Sequence, residues 1–299
     1  MTTAAGPYRQ GPDADARILD RGYRRYEGPR LGAAGARRAL YVASVQRALG
    51  LRRRFRYKVV PLLVAVFTYL PAAVFVGVAA LVPDQIVDEV VPRYGDYYGF
   101  VTAAILLFVA VVVPDVMCTD RQTGMLGLYL AAPLTRDTYL AMKAAAVTSV
   151  ITVVTLGPPV LLLVGYSMLD LGPGWPTDGL VLALRIIIAA LAVAVWFTGL
   201  AMVASSLTSR RAAASAGIVL ATLVSAAVVG GLVEGAGMSP WLRLGDLYNV
   251  PFEVVRRIYG EPGAHPELGT GPLVAYFVAA IVVMGAIVRT RYHRLTVTK

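Results

Sequence analysis

The chain has a single cysteine, Cys118, so neither an intrachain disulfide nor a cysteine-built metal site can form. Its two histidines, His265 and His293, lie far apart and outside every long apolar run, which leaves no histidine pair to anchor a haem or quinone within a membrane. Charge is scarce too. Asp, Glu, Lys and Arg make up 15% of the 299 residues, against about 25% in soluble domains. Glycine is nowhere followed by lysine, so the G-x-x-x-x-G-K-[ST] loop that cradles nucleotide phosphates is missing. If ATP energises this protein, another chain must hydrolyse it.

What fills the chain instead is apolar. Hydrophobic residues account for 57% and the mean hydropathy is +0.65, which places it in the membrane class. A net charge of +10 would suit nucleic acid, but 14 of the 28 Lys/Arg precede residue 59 and four more occupy the last eleven positions. These clusters border long apolar runs, so they suit the anionic inner leaflet, and no nucleic-acid partner is expected.

A bilayer core about 30 Å thick needs roughly 20 apolar helical residues. Six runs qualify, at about 59–82, 99–117, 144–169, 180–207, 212–233 and 272–288, the second being the shortest in apolar residues. The fold expected is an all-α polytopic membrane protein. The first run follows an arginine-rich stretch and exceeds a signal-peptide core, so it reads as a retained span. Loops alternate in basic content. The first, 83–98, has Arg93 against Asp84, Asp88, Glu89 and Asp96, and the third, 170–179, has no Lys or Arg. The second has Arg121, Arg136 and Lys143, the fourth has Arg210 and Arg211, and the 290–299 tail is basic. The positive-inside rule then puts both termini in the cytoplasm. Arginine and alanine richness points to a GC-rich bacterial source and hence a bacterial plasma membrane.

Residues 1–35 mix Gly, Pro and charge without period and read as a mobile cytoplasmic segment. Over 36–58 a helical stripe of Tyr41, Val42, Val45, Ala48 and Leu49, with Ser44 off it, runs into Arg52, Arg53, Arg54, Arg56 and Lys58. This is either an amphipathic interfacial helix on the inner leaflet or a plain basic anchor. The outer loop, 234–271, exceeds ordinary loop length. Leu247, Val250, Val254, Val255 and Ile258 within it repeat at helical spacing, which predicts a short helix dipped into the outer interface.

The informative stretch is the inner loop from Cys118 to Arg136. Pro133 should stop a short helix, and Thr135 can cap the next one. Met125, Leu128 and Tyr129 form an apolar patch rimmed by Asp120, Arg121 and Arg136, a composition that fits either a docking surface or packing against span ends. Apart from Asp115 at the end of the second run, Arg185 is the one charge inside the predicted spans. It can snorkel to the outer interface, meet a substrate headgroup, or pair with Asp170 or Asp178. Gly157-Pro158-Pro159 should break or kink the third span, as a transport site or as a static bend. Small residues at 212–217 and Gly230-Gly231 fit close helix packing.

The run Asp120-Arg121-Gln122-Thr123-Gly124, the leucine-rich residues after it, and Ala132-Pro133-Leu134-Thr135-Arg136 with Lys143 resemble the loop motif of ABC-2-type permeases. The chain departs from that pattern at Met125, where the family usually has Thr, and at Gly127, where Glu is common. Ser205–Arg211 and the opening Gly22–Arg30 also resemble family features. The resemblance implies a type V exporter-like fold and a permease that pairs with a second copy or related chain and binds two ABC ATPase subunits. A cytoplasmic coupling helix would span about 119–130, with Asp120, Arg121, Gly124, Met125, Leu128, Tyr129, Pro133, Thr135 and Arg136 at the ATPase contact. The 36–49 helix would match the family's connecting helix, and the outer loop its re-entrant helices. ATP and Mg would sit on the partner subunits, with no cofactor in this chain. The substrate path would lie between protomers along the second and fifth spans, with Arg185, Pro158 and Pro159 as further candidates for the path or interface.

Other classes fit less well. A membrane enzyme needs paired carboxylates, a nucleophile with its base, or metal ligands near one face; apart from Asp115 at the very end of the second run, the predicted spans hold no Asp, Glu, His or Lys. A secondary transporter lacks a mid-membrane carboxylate for ion coupling. A non-transporting scaffold stays open.

Overall fold

The computed structural model describes residues 28, 31–51, 58–83, 86, 92–131 and 133–295. The chain divides into a short unit, Met1–Leu31, and a body, Gly32–Lys299. Most of the expected mobile segment and of the Gly22–Arg30 motif lies outside the described residues. So do Arg52, Arg53, Arg54 and Arg56 of the basic run, Asp84, Asp88 and Glu89 of the first loop, Ala132, and Lys299.

The body is helical, with no strand among the described residues. Its helices are α1 (Gly32–Ala48), α2 (Val59–Ala79), α3 (Tyr94–Gln122), α4 (Met125–Ala131), α5 (Arg136–Met168), α6 (Thr177–Leu207), α7 (Arg211–Gly230), α8 (Val250–Tyr259) and α9 (Thr270–His293). A π-helical turn, Gly231–Gly235, extends α7, and a 3-10 turn, Pro240–Gly245, precedes α8. Six of these, α2, α3, α5, α6, α7 and α9, are long and apolar enough to cross a membrane. The chain is a multi-pass membrane protein.

Two spans outrun their apolar cores. α3 has 29 residues and α5 has 33. At about 1.5 Å per residue they reach roughly 43 and 50 Å, beyond a bilayer core of about 30 Å. Asp115 at the end of the second run and the inner-loop charges Asp120, Arg121 and Lys143 are therefore helical. The loop between the second and third spans shrinks to 123–135, with α4 inside it.

α6 is the central helix and touches α3, α5, α7, α8 and α9. Trp196 on α6 stacks on Phe277 of α9 with ring centroids 5.1 Å apart, and its Nε1 donates to the Leu247 carbonyl at 3.0 Å. α7, by contrast, turns Leu220, Leu223, Val224 and Val228 outward, as a helix facing lipid or a second chain would.

α5 runs unbroken through Pro158 and Pro159, contrary to the expected break. Neither proline can donate to the preceding turn, so carbonyls are left over. Pro159 frees the Thr155 carbonyl, and the Tyr98 hydroxyl of α3 donates to it at 3.2 Å. Both prolines are buried inside the bundle. A neighbouring helix thus supplies a donor for the carbonyl that Pro159 frees. Beside them, Gly157 and Gly165 let α2 approach α5 closely. A Cβ at Gly157 would run into the Tyr69 hydroxyl, and one at Gly165 into the Val76 methyls.

α8 forms where the outer-loop periodicity predicts a helix. It packs on α6 and α3, with Phe252 beside Tyr98 and Phe197. Gly260 ends it at φ +78°, a conformation that costs glycine little. Arg185 makes no ion pair with Asp170 or Asp178. Its Nη1 donates instead to the Tyr259 carbonyl, the last of α8, at 2.7 Å. A cation there satisfies orphan carbonyls and complements the helix dipole.

Candidate functional site

The densest polar cluster lies where α1, α3 and α5 meet. Asp120 is fully buried, at 0% exposure. Lys143 of α5, itself 1% exposed, reaches it at 2.7 Å, and the Tyr139 hydroxyl donates to it at 3.0 Å. Arg47 of α1 donates to the other carboxylate oxygen. Lys143 spends a further proton on the Val116 carbonyl at 3.2 Å. One turn before Asp120 on α3, Arg211 at the start of α7 pairs with Asp115. Three helices thus close on one carboxylate, with a second ion pair alongside that adds α7.

The local sequence explains the placement. Asp120 and Lys143 fall just beyond the apolar cores of α3 and α5, where each helix continues and stays packed against its neighbours. α1 packs along α5 through Leu40, Ser44 and Ala48. The Tyr41 hydroxyl donates to Ser149 at 2.9 Å, and Arg47 lands at Asp120. The buried face of α1 therefore differs from the stripe read from sequence. Ser44 is inside, donating to the Leu40 carbonyl at 2.7 Å, and Val42 is outside. The serine satisfies itself within its own helix, which lets a polar residue occupy a buried position.

Burial works against the charge on Arg47. The hydrogen bond and negative charge of Asp120 outweigh it and raise the Arg47 pKa above the ordinary value. Burial likewise raises the Tyr129 hydroxyl, helped by Asp120.

Above this node sits α4. Gly124, at φ +70°, stops α3 and turns the chain. At the other end Thr135 caps α5 in a reciprocal box. Its hydroxyl accepts from Thr138 N at 3.2 Å, and Thr138 Oγ1 accepts from Thr135 N at 2.8 Å. The observed helix, Met125–Ala131, is shorter than the 119–130 expected, because Thr119–Gln122 complete α3. The apolar patch also divides. Leu128 is 63% exposed, whereas Tyr129 packs its ring 5.9 Å from Tyr139 and Met125 is half-buried. Pro133 is exposed in the link to α5.

The charged rim expected around that patch turns inward. Asp120 is in the node. Arg121 donates from Nη1 to the Ser205, Ser206 and Thr208 carbonyls at 3.2, 3.1 and 3.2 Å, capping α6. Arg136 donates to the Tyr292 carbonyl at 3.1 Å and to that of His293, capping α9. The structure therefore overturns the reading of Asp120 as a surface contact, and both arginines spend donors on neighbouring helix ends. What α4 offers outward is Leu128. Sequence reasoning missed Arg47, Tyr139 and the α7 partner Arg211. Tyr139 had a signal: it lies four residues before Lys143, on the same face of α5.

At the opposite end a polar cavity of about 320 Å³ opens between α3 and α8, bordered by Thr102, Asn249, Glu253, Arg256 and His265. Its charges are tied only in part, since Glu253 Oε2 is buried without a hydrogen-bond partner among the described residues. Arg256 pairs with Asp96 at 3.1 Å, and Glu253 accepts from Ala264 N at 2.8 Å. Among the described residues no three Asp, Glu, His or Cys side chains gather as metal ligands.

No protein-family model matches this sequence, and a search of curated proteins gives no match either.

Proposed function

We propose that this chain is the membrane subunit of an ATP-driven exporter, coupled through α4 to separate ATPase subunits in the cytoplasm of a bacterial cell. The observation that carries the reading is the short helix α4, which shows Leu128 outward and rests through Tyr129 on the Asp120 node. A load applied at Leu128 passes through Tyr129 to Tyr139, and through the node to α1, α3 and α5 together. Packed cores deform as units, so such a junction moves helices rather than absorbing the push. The loop motif's likeness to ABC-2-type permeases and the absence of a phosphate loop support the same reading. The positive-inside pattern supports a cytoplasmic position for α4. A second copy would complete the path, with the outward apolar face of α7 free to meet it, and ATP and Mg would belong to the ATPase subunits.

The test is purification of the tagged full chain from its host in mild detergent, with identification of co-purifying chains and an ATPase assay. Leu128→Asp is the matched variant. Because Leu128 is exposed, it should fold normally yet lose a stoichiometric phosphate-loop ATPase. A solitary wild-type chain without ATPase activity would sink the reading.

A further inference from the structure

An apolar groove of about 320 Å³ runs between α5, α6 and α9. Ala141, Ala144, Thr198, Gly199, Met284 and Gly285 form much of its wall, and Asp137 and Arg289 close one end. Small residues on all three helices leave the space. A Cβ at Gly285 would meet nothing within 4 Å. The wall runs from Asp137 to Thr148 along α5, eleven residue steps, or about 16 Å. That length and the apolar lining suit one hydrocarbon chain better than a peptide, whose backbone polar groups would find few partners there.

The closed end is polar and basic. Arg289 donates from Nε and Nη2 to Asp137 at 3.0 and 3.1 Å. Its side chain is 66% exposed, and three of its five N–H donors are left over. His293 also meets Asp137, at 3.0 Å. The start of α5 and the end of α9 together carry Arg136, Arg289, Arg291 and Arg294 against one acid, Asp137. The groove thus joins an apolar slot to a cationic rim, the pattern of an anionic amphiphile.

We propose that this groove is a binding site for one phospholipid with an anionic headgroup, its acyl chain between α5 and α9 and its phosphate at Arg289. Arginine suits this role because its planar donors match phosphate oxygens. Asp137 holds the guanidinium at the mouth of the groove, so the lipid meets an arginine already in place.

The full chain, reconstituted in vesicles of equal phosphatidylglycerol and phosphatidylcholine, tests this by native mass spectrometry of the released protein. Wild type should retain one lipid, with phosphatidylglycerol favoured about fivefold for each arginine engaged. Arg289→Gln should reduce that preference about fivefold while a lipid stays bound. Gly285→Leu should fill the groove and lose retention of both lipids, with helicity and elution volume as its folding checks. Equal retention of the two lipids by wild type, or retention unchanged in Gly285→Leu, would overturn the proposal. So would disulfide cross-linking between copies through a cysteine at position 285 in a Cys118→Ser background, since a second chain would then occupy the groove.

Discussion

Asp120 is among the most tightly held side chains of the described residues. Its carboxylate answers Lys143, Arg47 and Tyr139 at once, and Lys143 has almost no access to water. Asp120→Asn keeps the shape but leaves Lys143 buried without a counter-charge, a change that costs about 3–5 kcal/mol. Lys143→Met should cost less, because Arg47 still faces the carboxylate, and the double variant should fall short of the sum of the two. Thermal unfolding of the three proteins in one detergent reads this directly; strict additivity would mean the two groups do not act as a pair. Glu261 gives the opposite sign. Burial pushes its carboxyl above the ordinary range, against a hydrogen bond from Gly95 N at 3.1 Å. As pH rises, the unfolded chain gives up this proton first, so the ionised glutamate subtracts from stability at neutral pH. Below the ordinary glutamate pKa of about 4.3 the subtraction disappears. Glu261→Gln should therefore raise the unfolding midpoint at pH 7 and leave it unchanged near pH 4. An equal shift at both values would rule out the carboxylate as its cause.

Among the helices, α4 depends on its two boundaries. Gly124 occupies the left-handed region, where any other residue pays about 1–2 kcal/mol. Gly124→Ala should lower the unfolding midpoint modestly, whereas Gln122→Ala at the end of α3 should not; a silent Gly124→Ala would show the turn to be adaptable. Six spans, the helix in the outer loop and the Thr135 cap were legible because each rests on local pattern: apolar run length, 3.6-residue spacing, a hydroxyl before a helix. The ends of α3 and α5 were not. Apolar windows stop at the first charge, while a helix continues wherever neighbours can answer that charge, as Arg47 and Lys143 do for Asp120. The same gap hid the inward turn of Arg121 and Arg136. Their acceptors lie on helices 84 and 156 residues away in sequence, a distance no local spacing reports. Gly157-Pro158-Pro159 misled for the complementary reason, since the donor that spares α5 a break is a tyrosine on α3.

For the molecule as a whole, the proposed orientation makes one clear demand. In a Cys118→Ser background, a cysteine placed at His265 should react with an impermeant maleimide in intact cells. One at Leu128 should react only after the membrane is opened. Reversed labelling would put α4 and its node outside and remove any route to a cytoplasmic ATPase. Both positions are at least partly accessible in the structure, so reactivity should report sidedness rather than packing.

The three arginine caps also impose an order in time. Each is made before its acceptors: Arg121 before Ser205, Arg136 before Tyr292, Arg185 before Tyr259. During synthesis the first halves of these contacts wait in the membrane for helices still on the ribosome. A chain that ends before α9 leaves Arg136 and Asp137 with none of their partners on that helix. Such a fragment would leave these two side chains to water and lipid headgroups. The last helix, plain in sequence, is in this respect the clasp that closes on the start of α5.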